Sequence, residues 1–123
     1  MPKPYNTIIV DDDIEFIAWL KSLLGKSNDF NVVGKADNGN EALNLVESVI
    51  PDLLISDVYL PDIDGLEIAR IVKRKFQNVK VILISANEEK VYSRLVKEMG
   101  SISFIAKINL SLESLRLACQ SEG

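Results

Sequence analysis

Short apolar runs alternate along the chain with longer segments in which apolar residues recur at helical spacing. Strands are expected at the short runs, because each is bounded by polar or turn-forming residues. The predicted strands cover residues 7–10, 31–36, 51–56, 79–84 and 102–106. An alternation of strands and helices is typical of repeated βα units, which build a parallel sheet covered by helices on both faces. The pattern therefore predicts an α/β domain.

The segments between the strands predict amphipathic helices. Their apolar stripes are Phe16, Leu20, Leu23 and Leu24; Ala42, Val46, Val49 and Ile50; Ile68, Ala69, Val72 and Phe76; Val91, Leu95 and Met99; and Leu112, Leu115 and Cys119. Asn38 is expected to cap the second helix together with Glu41, and Pro51 to end it. The fourth helix is expected from Glu88 to Met99.

Polar residues stand where four of the predicted strands end. These residues are Asp11, Asp12 and Asp13 after the first strand, Asp57 after the third, Ser85 after the fourth and Lys107 after the fifth. In open α/β sheets ligands bind at the carboxyl ends of the strands, so these side chains are expected in one cleft if the first strand is central. Carboxylates hold a hard divalent cation, whereas a lysine and a hydroxyl bind phosphate oxygens. Asp57 is the candidate nucleophile, since aspartyl phosphate is a known covalent intermediate.

Composition excludes several other functions. The chain of 123 residues has no histidine and one cysteine, which excludes a Ser-His-Asp triad, an intrachain disulfide and a structural zinc site. The net charge of -4 argues against nucleic acid or an anionic membrane as a direct target. No apolar run has the length of a membrane span, and the N-terminus does not begin a secretory signal. The expected location is the cytoplasm.

Four motifs together resemble the receiver domain of two-component response regulators. They are Val10-Asp11-Asp12, the spacing of Asp57, Pro61 and Gly65, the pair Ser85-Ala86, and Phe104-Ile105-Ala106-Lys107. The resemblance covers essentially the whole chain, with the motifs in the same order as in that family. It implies a flavodoxin-like three-layer α/β/α sandwich with strand order 2-1-3-4-5. It also implies one receiver domain over residues 1–123, with the output domain absent from this chain.

The resemblance implies a role for each strand-end residue. Asp57 would be the phosphoacceptor, and Asp11 and Asp12 the acid pair around Mg2+ (or Mn2+). Asp12, Asp57 and the main-chain carbonyl of Tyr59 would be the inner metal ligands, with Asp11 acting mostly through water. Ser85 and Lys107 would contact the phosphoryl oxygens, and Ser85 would move with Phe104 in the switch.

The resemblance also implies partners. A sensor histidine kinase or phosphotransfer protein would donate the phosphoryl group, since this chain has no histidine to carry it. The fourth helix, fifth strand and last helix would form the output face, through which a homodimer could form. Transcription would be regulated through the absent DNA-binding domain, and this domain itself would contact no nucleic acid and no membrane. The domain would catalyse only its own phosphorylation and dephosphorylation, so it is expected to be a switch rather than an enzyme.

Two residues depart from the family pattern. Many members have a proline in a cis peptide bond after the lysine, and this chain has Ile108. A cis bond there would cost about 2.5–4 kcal/mol, so a trans bond is expected. The missing proline and residues 30–39 resemble the subclass whose output is a helix-turn-helix of the nitrate-regulator and quorum-sensing type. Tyr59 is bulky beside the phosphoryl position, and we hypothesise that it impedes water and prolongs the phosphorylated state.

Other interpretations stay open for individual residues. Asp13 alone is better explained as a helix-starting acid. Asp62-Ile63-Asp64-Gly65 follows a proline turn rather than a strand, which excludes a dehalogenase-type motif, and its acids are expected to cap the following helix. Trp19, which with Ile17 flanks the first helical stripe, fits partial burial and kinase docking equally well. Two alternatives to the switch are a non-phosphorylated interaction module and a magnesium-dependent phosphatase or nuclease, for which no second catalytic acid or base is found outside the acid cluster.

Overall fold

The alternating pattern of the sequence forms a five-stranded parallel sheet with helices on both faces. The computed structural model describes residues 3–86 and 102–120. The strands are β1 (Tyr5–Val10), β2 (Phe30–Ala36), β3 (Leu53–Asp57), β4 (Lys80–Ser85) and β5 (Ile102–Ala106). The helices are α1 (Ile14–Gly25), α2 (Gly39–Val49), α3 (Gly65–Lys75) and α4 (Leu112–Gln120), and a 3-10 turn spans Lys107–Asn109.

The strand order is β2-β1-β3-β4-β5, which confirms the predicted flavodoxin-like topology. Every neighbouring pair is parallel, and β1 lies between β2 and β3. The register pairs Val10 with Ser56, Asp57 with Ile84, and Ser85 with Ala106. The carboxyl ends of β1, β3, β4 and β5 therefore lie side by side at one edge of the sheet.

The sheet buries a hydrophobic cluster on each face, because successive residues of a strand point to opposite sides. In β1, Ile8 belongs to the cluster that α2 and α3 cover, whereas Ile9 belongs to the cluster that α1 and α4 cover. All residues of β3 are buried, as the uninterrupted apolar run predicts for a strand covered on both faces. Two packed layers thus fix the strand ends from which the polar side chains project.

The starts of α1 and α2 are each capped by the side chain of the residue that precedes the helix. The Asn38 side chain caps α2 by accepting a hydrogen bond from the Glu41 backbone N–H at 2.9 Å. The Asp13 side chain caps α1 by accepting from the Phe16 N–H at 3.2 Å, which agrees with the helix-start interpretation of Asp13. Such caps satisfy backbone N–H groups that the helix itself leaves without partners.

Three packing predictions were wrong. Val49 and Ile50 are 40% and 58% exposed rather than core residues. Helical periodicity does not extend to Ile50, because α2 ends before it and Ile50 adopts a left-handed conformation with φ 49°. Ile17 is buried in the core rather than lying beside the stripe, since α1 faces the sheet with Ile17, Leu20 and Leu24.

The predicted helix from Glu88 to Met99 lies outside the described residues. Trp19 is exposed on α1, with 47% of its surface accessible. Within residues 3–86 and 102–120, the helices are too short or too polar to cross a membrane.

Candidate functional site

The polar strand ends predicted from the sequence meet at the carboxyl edge of the sheet. Asp11, Asp57 and Ser85 are among the few polar residues that are buried in the described part of the chain, at 1%, 7% and 0% exposure. Asp12 is exposed beside them. Lys107 follows β5 and reaches back to the carboxylates of β1 and β3. The fold thus assembles in one place the acids, the lysine and the hydroxyl that the sequence distributes over four strands.

Asp11 is held from three directions. Its backbone N–H donates to the Ala36 carbonyl at 3.1 Å, and its Oδ1 accepts from the Asp13 N–H at 2.9 Å. Its Oδ2 lies 2.7 Å from Lys107 Nζ, but it makes no well-aligned hydrogen bond within the described residues. The charge of this buried carboxylate is therefore balanced by the Lys107 ammonium.

Asp57 ends β3 and is fixed by the backbone around it. The Val58 N–H donates to the Ile84 carbonyl at 2.9 Å, which continues the β3–β4 pairing beyond the strand. The Tyr59 N–H lies 3.4 Å from Asp57 Oδ1. Behind the strand end, the Gly65 N–H donates to the Val58 carbonyl at 2.8 Å and closes the loop onto the start of α3.

Burial raises the pKa of the Asp57 carboxyl, and the nearby Asp11 carboxylate raises it further. The Lys107 ammonium and the backbone N–H groups of Val58 and Tyr59 lower it, but the net pKa stays above the ordinary value. The second anion and the loss of water thus outweigh the single cation 3.6 Å away. An additional positive charge near Asp57 would therefore stabilise its ionised form.

The acid cluster fits a hard divalent cation. One oxygen each from Asp11, Asp12 and Asp57 lies within 4.8 Å of the others. The donors are carboxylates alone, which suits Mg2+ or Mn2+ better than a soft metal. Asp13 takes no part in this group and caps α1 instead.

The remaining predicted residues differ in how far they are buried. Ser85 is the last residue of β4 and is fully buried, Phe104 is half-buried against the cluster under α3, and Tyr59 is 47% exposed. Ile108 is 84% exposed, and the peptide bonds of the described residues are all trans, as predicted after Lys107.

Two contacts at this edge were missed or misassigned from the sequence. Asp62 does not cap the helix that follows it; its oxygens accept from the Gly39 and Asn40 N–H groups at 2.7 and 2.9 Å, so it caps α2. Only Asp64 caps α3, through the Leu66 N–H. Phe16, predicted as part of a core stripe, has its ring centroid 4.1 Å from Lys107 Nζ. In each of these contacts the partners are distant in the sequence, so no local pattern predicts the contact.

Comparison with known proteins agrees with this geometry. The model of the response regulator receiver domain family matches residues 7–119. The transcriptional regulatory protein YdfI of Bacillus subtilis is 30% identical over 102 residues, which are 83% of this chain and 47% of that protein. The DNA-binding transcriptional activator EvgA of Escherichia coli K12 is 29% identical over 102 residues, 83% of this chain and 50% of that protein. The chain spans about half the length of these relatives.

A solved structure shows the same fold. The signal receiver domain of NarL from Mycobacterium tuberculosis superposes with a TM-score of 0.83 at 29% identity, covering 98% of this chain and 100% of that one. The family match extends over both strands that carry the acids and over the lysine at the end of β5. The chain therefore belongs to the family of response regulator receiver domains.

Proposed function

We propose that this domain is a phosphorylation-dependent switch in which Asp57 accepts a phosphoryl group from a histidine kinase or a phosphotransfer protein. The observation that carries the proposal is the arrangement at the sheet edge. A buried carboxylate with a raised pKa lies beside a second acid and 3.6 Å from a lysine. The donor must be another protein if the phosphoryl group comes from histidine, since this chain has none.

In the proposed step an Asp57 carboxylate oxygen attacks phosphorus, a new O–P bond forms, and the N–P bond to the donor histidine breaks. The electron pair of that bond leaves with the imidazole. A divalent cation bound by the acid cluster would supply positive charge that offsets the repulsion between two anions. Asp12, Asp57 and the Tyr59 carbonyl would hold it directly, and Asp11 mostly through water.

The other residues act on the transferred group. Lys107 already lies beside both acids, so its ammonium can pair with a phosphoryl oxygen with little movement. Ser85 ends the neighbouring strand, where its hydroxyl can donate to another oxygen. Movement of Ser85 and half-buried Phe104 would carry the change to the output face.

The names of YdfI and EvgA state that they regulate transcription, and we extend that role to the protein that contains this domain. DNA binding would then lie outside this domain. A homodimer through β5, α4 and the predicted helix at residues 88–99 stays a prediction, because that helix lies outside the described residues. The domain modifies only itself in this scheme, so it is a switch rather than a turnover enzyme.

The test is incubation with Mg2+ and a small acyl phosphate, followed by intact-mass measurement. We expect the wild type to gain one phosphoryl group and Asp57→Asn to gain none. Asp12→Asn should react much more slowly at the same Mg2+ concentration, since it removes a proposed metal ligand. Asp13→Asn is the matched control: it removes a neighbouring negative charge but leaves an oxygen to cap α1, and it should react like the wild type.

Two outcomes would contradict the proposal. No phosphoryl gain by the wild type would favour a pure interaction module. Continued release of inorganic phosphate, with rates unaffected by Asp57→Asn, would favour a magnesium-dependent phosphatase.

A further inference from the structure

Lys107 is held by an aromatic ring as well as by carboxylates. Its Nζ lies 2.7 Å from Asp11 Oδ2 and 3.6 Å from Asp57 Oδ2, and also 4.1 Å from the centroid of the Phe16 ring. The side chain of Lys107 is only 18% exposed. A cation at this distance over a ring face is attracted by the ring quadrupole, and the attraction grows as water is removed.

The Phe16 ring is itself tied to the acid cluster. Phe16 lies in the first turn of α1, and its N–H donates to the Asp13 side chain at 3.2 Å. The Asp13 N–H in turn donates to Asp11 Oδ1 at 2.9 Å. One short stretch of chain therefore places both the ring and the carboxylate that contact Lys107.

The ring differs from the carboxylates in one respect that matters for phosphoryl transfer. A divalent cation on the acids, or a phosphoryl group on Asp57, changes the charges with which the ammonium pairs. Phe16 is neutral, so its attraction for Lys107 is the same before and after either event. Without the ring, the flexible stem of the lysine would be free to leave when the acids take up a cation, because lysine carries much rotamer entropy.

We propose that Phe16 is a positioning residue, which keeps the Lys107 ammonium beside Asp57 while the charge on the acids changes. This inference rests on the proposed function, because it assigns Phe16 a role in the transfer that Asp57 and Lys107 perform. The simpler interpretation is that Phe16 only fills the core under α1, where it packs against the buried cluster. The positioning role requires an aromatic ring at residue 16, whereas core filling requires only an apolar side chain of suitable size.

The first measurement tests the contact without phosphorylation. In the metal-free protein, NMR of the Lys107 ε-methylene protons should show an upfield ring-current shift that Phe16→Leu abolishes and Phe16→Tyr retains. The second measurement is the rate of phosphoryl gain from acyl phosphate with Mg2+. Phe16→Leu should slow it by about 3- to 10-fold, as the loss of a partly desolvated cation–π contact predicts. Phe16→Tyr should retain the wild-type rate.

Phe30→Leu is the matched control. Phe30 belongs to the same core cluster and stacks on Tyr5 with ring centroids 5.9 Å apart, and its partners do not include Lys107. It is 5% exposed, so the same substitution there loosens the core at least as much, yet the rate should be unchanged.

The results separate the two claims. A wild type that gains no phosphoryl group overturns the proposed function, and the role of Phe16 with it. A wild type that is phosphorylated, with Phe16→Leu as fast as the wild type or Phe30→Leu equally slow, overturns the role of Phe16 alone. Unchanged Lys107 resonances in Phe16→Leu would also overturn it.

Discussion

Gly65 is the residue whose replacement by alanine should most directly disturb β3, the strand that ends at Asp57. A Cβ at this position would meet the backbone carbonyl oxygen of Asp57 and would lie 2.8 Å from the Val58 Cα. Both contacts are with backbone, so no side-chain rotation relieves them. The start of α3 would have to move away from the end of β3, and the hydrogen bond from the Gly65 N–H to the Val58 carbonyl, 2.8 Å long, would stretch.

Overpacking of this kind costs about 1–3 kcal/mol. For a domain of this size each kcal/mol lowers the melting temperature by roughly 3–6 °C, so Gly65→Ala should melt roughly 3–18 °C below the wild type. Gly25→Ala is the matched control, because a Cβ there meets nothing within 4 Å. Gly25 ends α1, and alanine at a compatible site stabilises by about 0.4–1 kcal/mol.

The assay is thermal unfolding of both variants and the wild type, paired with the rate of phosphoryl gain from acyl phosphate. Gly65→Ala should be slower as well as less stable, since the displaced backbone carries Asp57. Gly25→Ala should match the wild-type rate. If Gly65→Ala has the same melting temperature and the same rate of phosphoryl gain as the wild type, the close approach of α3 to Asp57 does not position the site.

Three further predictions concern single side chains. Because burial and Asp11 raise the pKa of Asp57, the folded protein binds this proton more tightly than the unfolded chain, and the ionised group destabilises the fold above that pKa. Asp57→Asn should therefore raise the melting temperature of the metal-free protein at neutral pH, by a margin that shrinks as the pH falls through the pKa of Asp57; a lower melting temperature at neutral pH would contradict this. Tyr59→Asn should speed loss of the phosphoryl group, followed by intact mass over time, if the ring impedes water; an unchanged rate would argue against it. Burial raises the pKa of Cys119 to about 11, so a thiol reagent at neutral pH should label it only on unfolding, and fast labelling of the folded protein would be the contrary result.

The sheet and its polar edge were predictable because their signals are local. Apolar runs bounded by turn residues predicted every strand, and the polar residues after four of these runs predicted the members of the site. Because the strands are parallel, their carboxyl ends lie at one edge of the sheet whatever the structure of the intervening loops. The buried Asp11, Asp57 and Ser85 are all predictable in this way.

The wrong predictions concern residues whose contacts or backbone conformation cannot be inferred from their neighbours in the sequence. The Asp62 carboxylate binds the backbone of Gly39 and Asn40, which belong to a different βα unit, and local capping rules favoured α3 instead. Phe16 fitted an apolar stripe, and nothing near it in the sequence shows that a lysine after β5 would lie over its ring. Ile50 takes a positive φ that β-branched residues rarely adopt, so periodicity extended α2 too far.

The most direct test of the central claim is to locate the phosphoryl group on the chain. The protein is incubated with Mg2+ and acyl phosphate, reduced with borohydride so that an aspartyl phosphate becomes homoserine, and digested for tandem mass spectrometry. We predict reduction at Asp57 alone, and none when Mg2+ is chelated. Reduction at Asp11 or Asp12 with Asp57 intact would contradict the account.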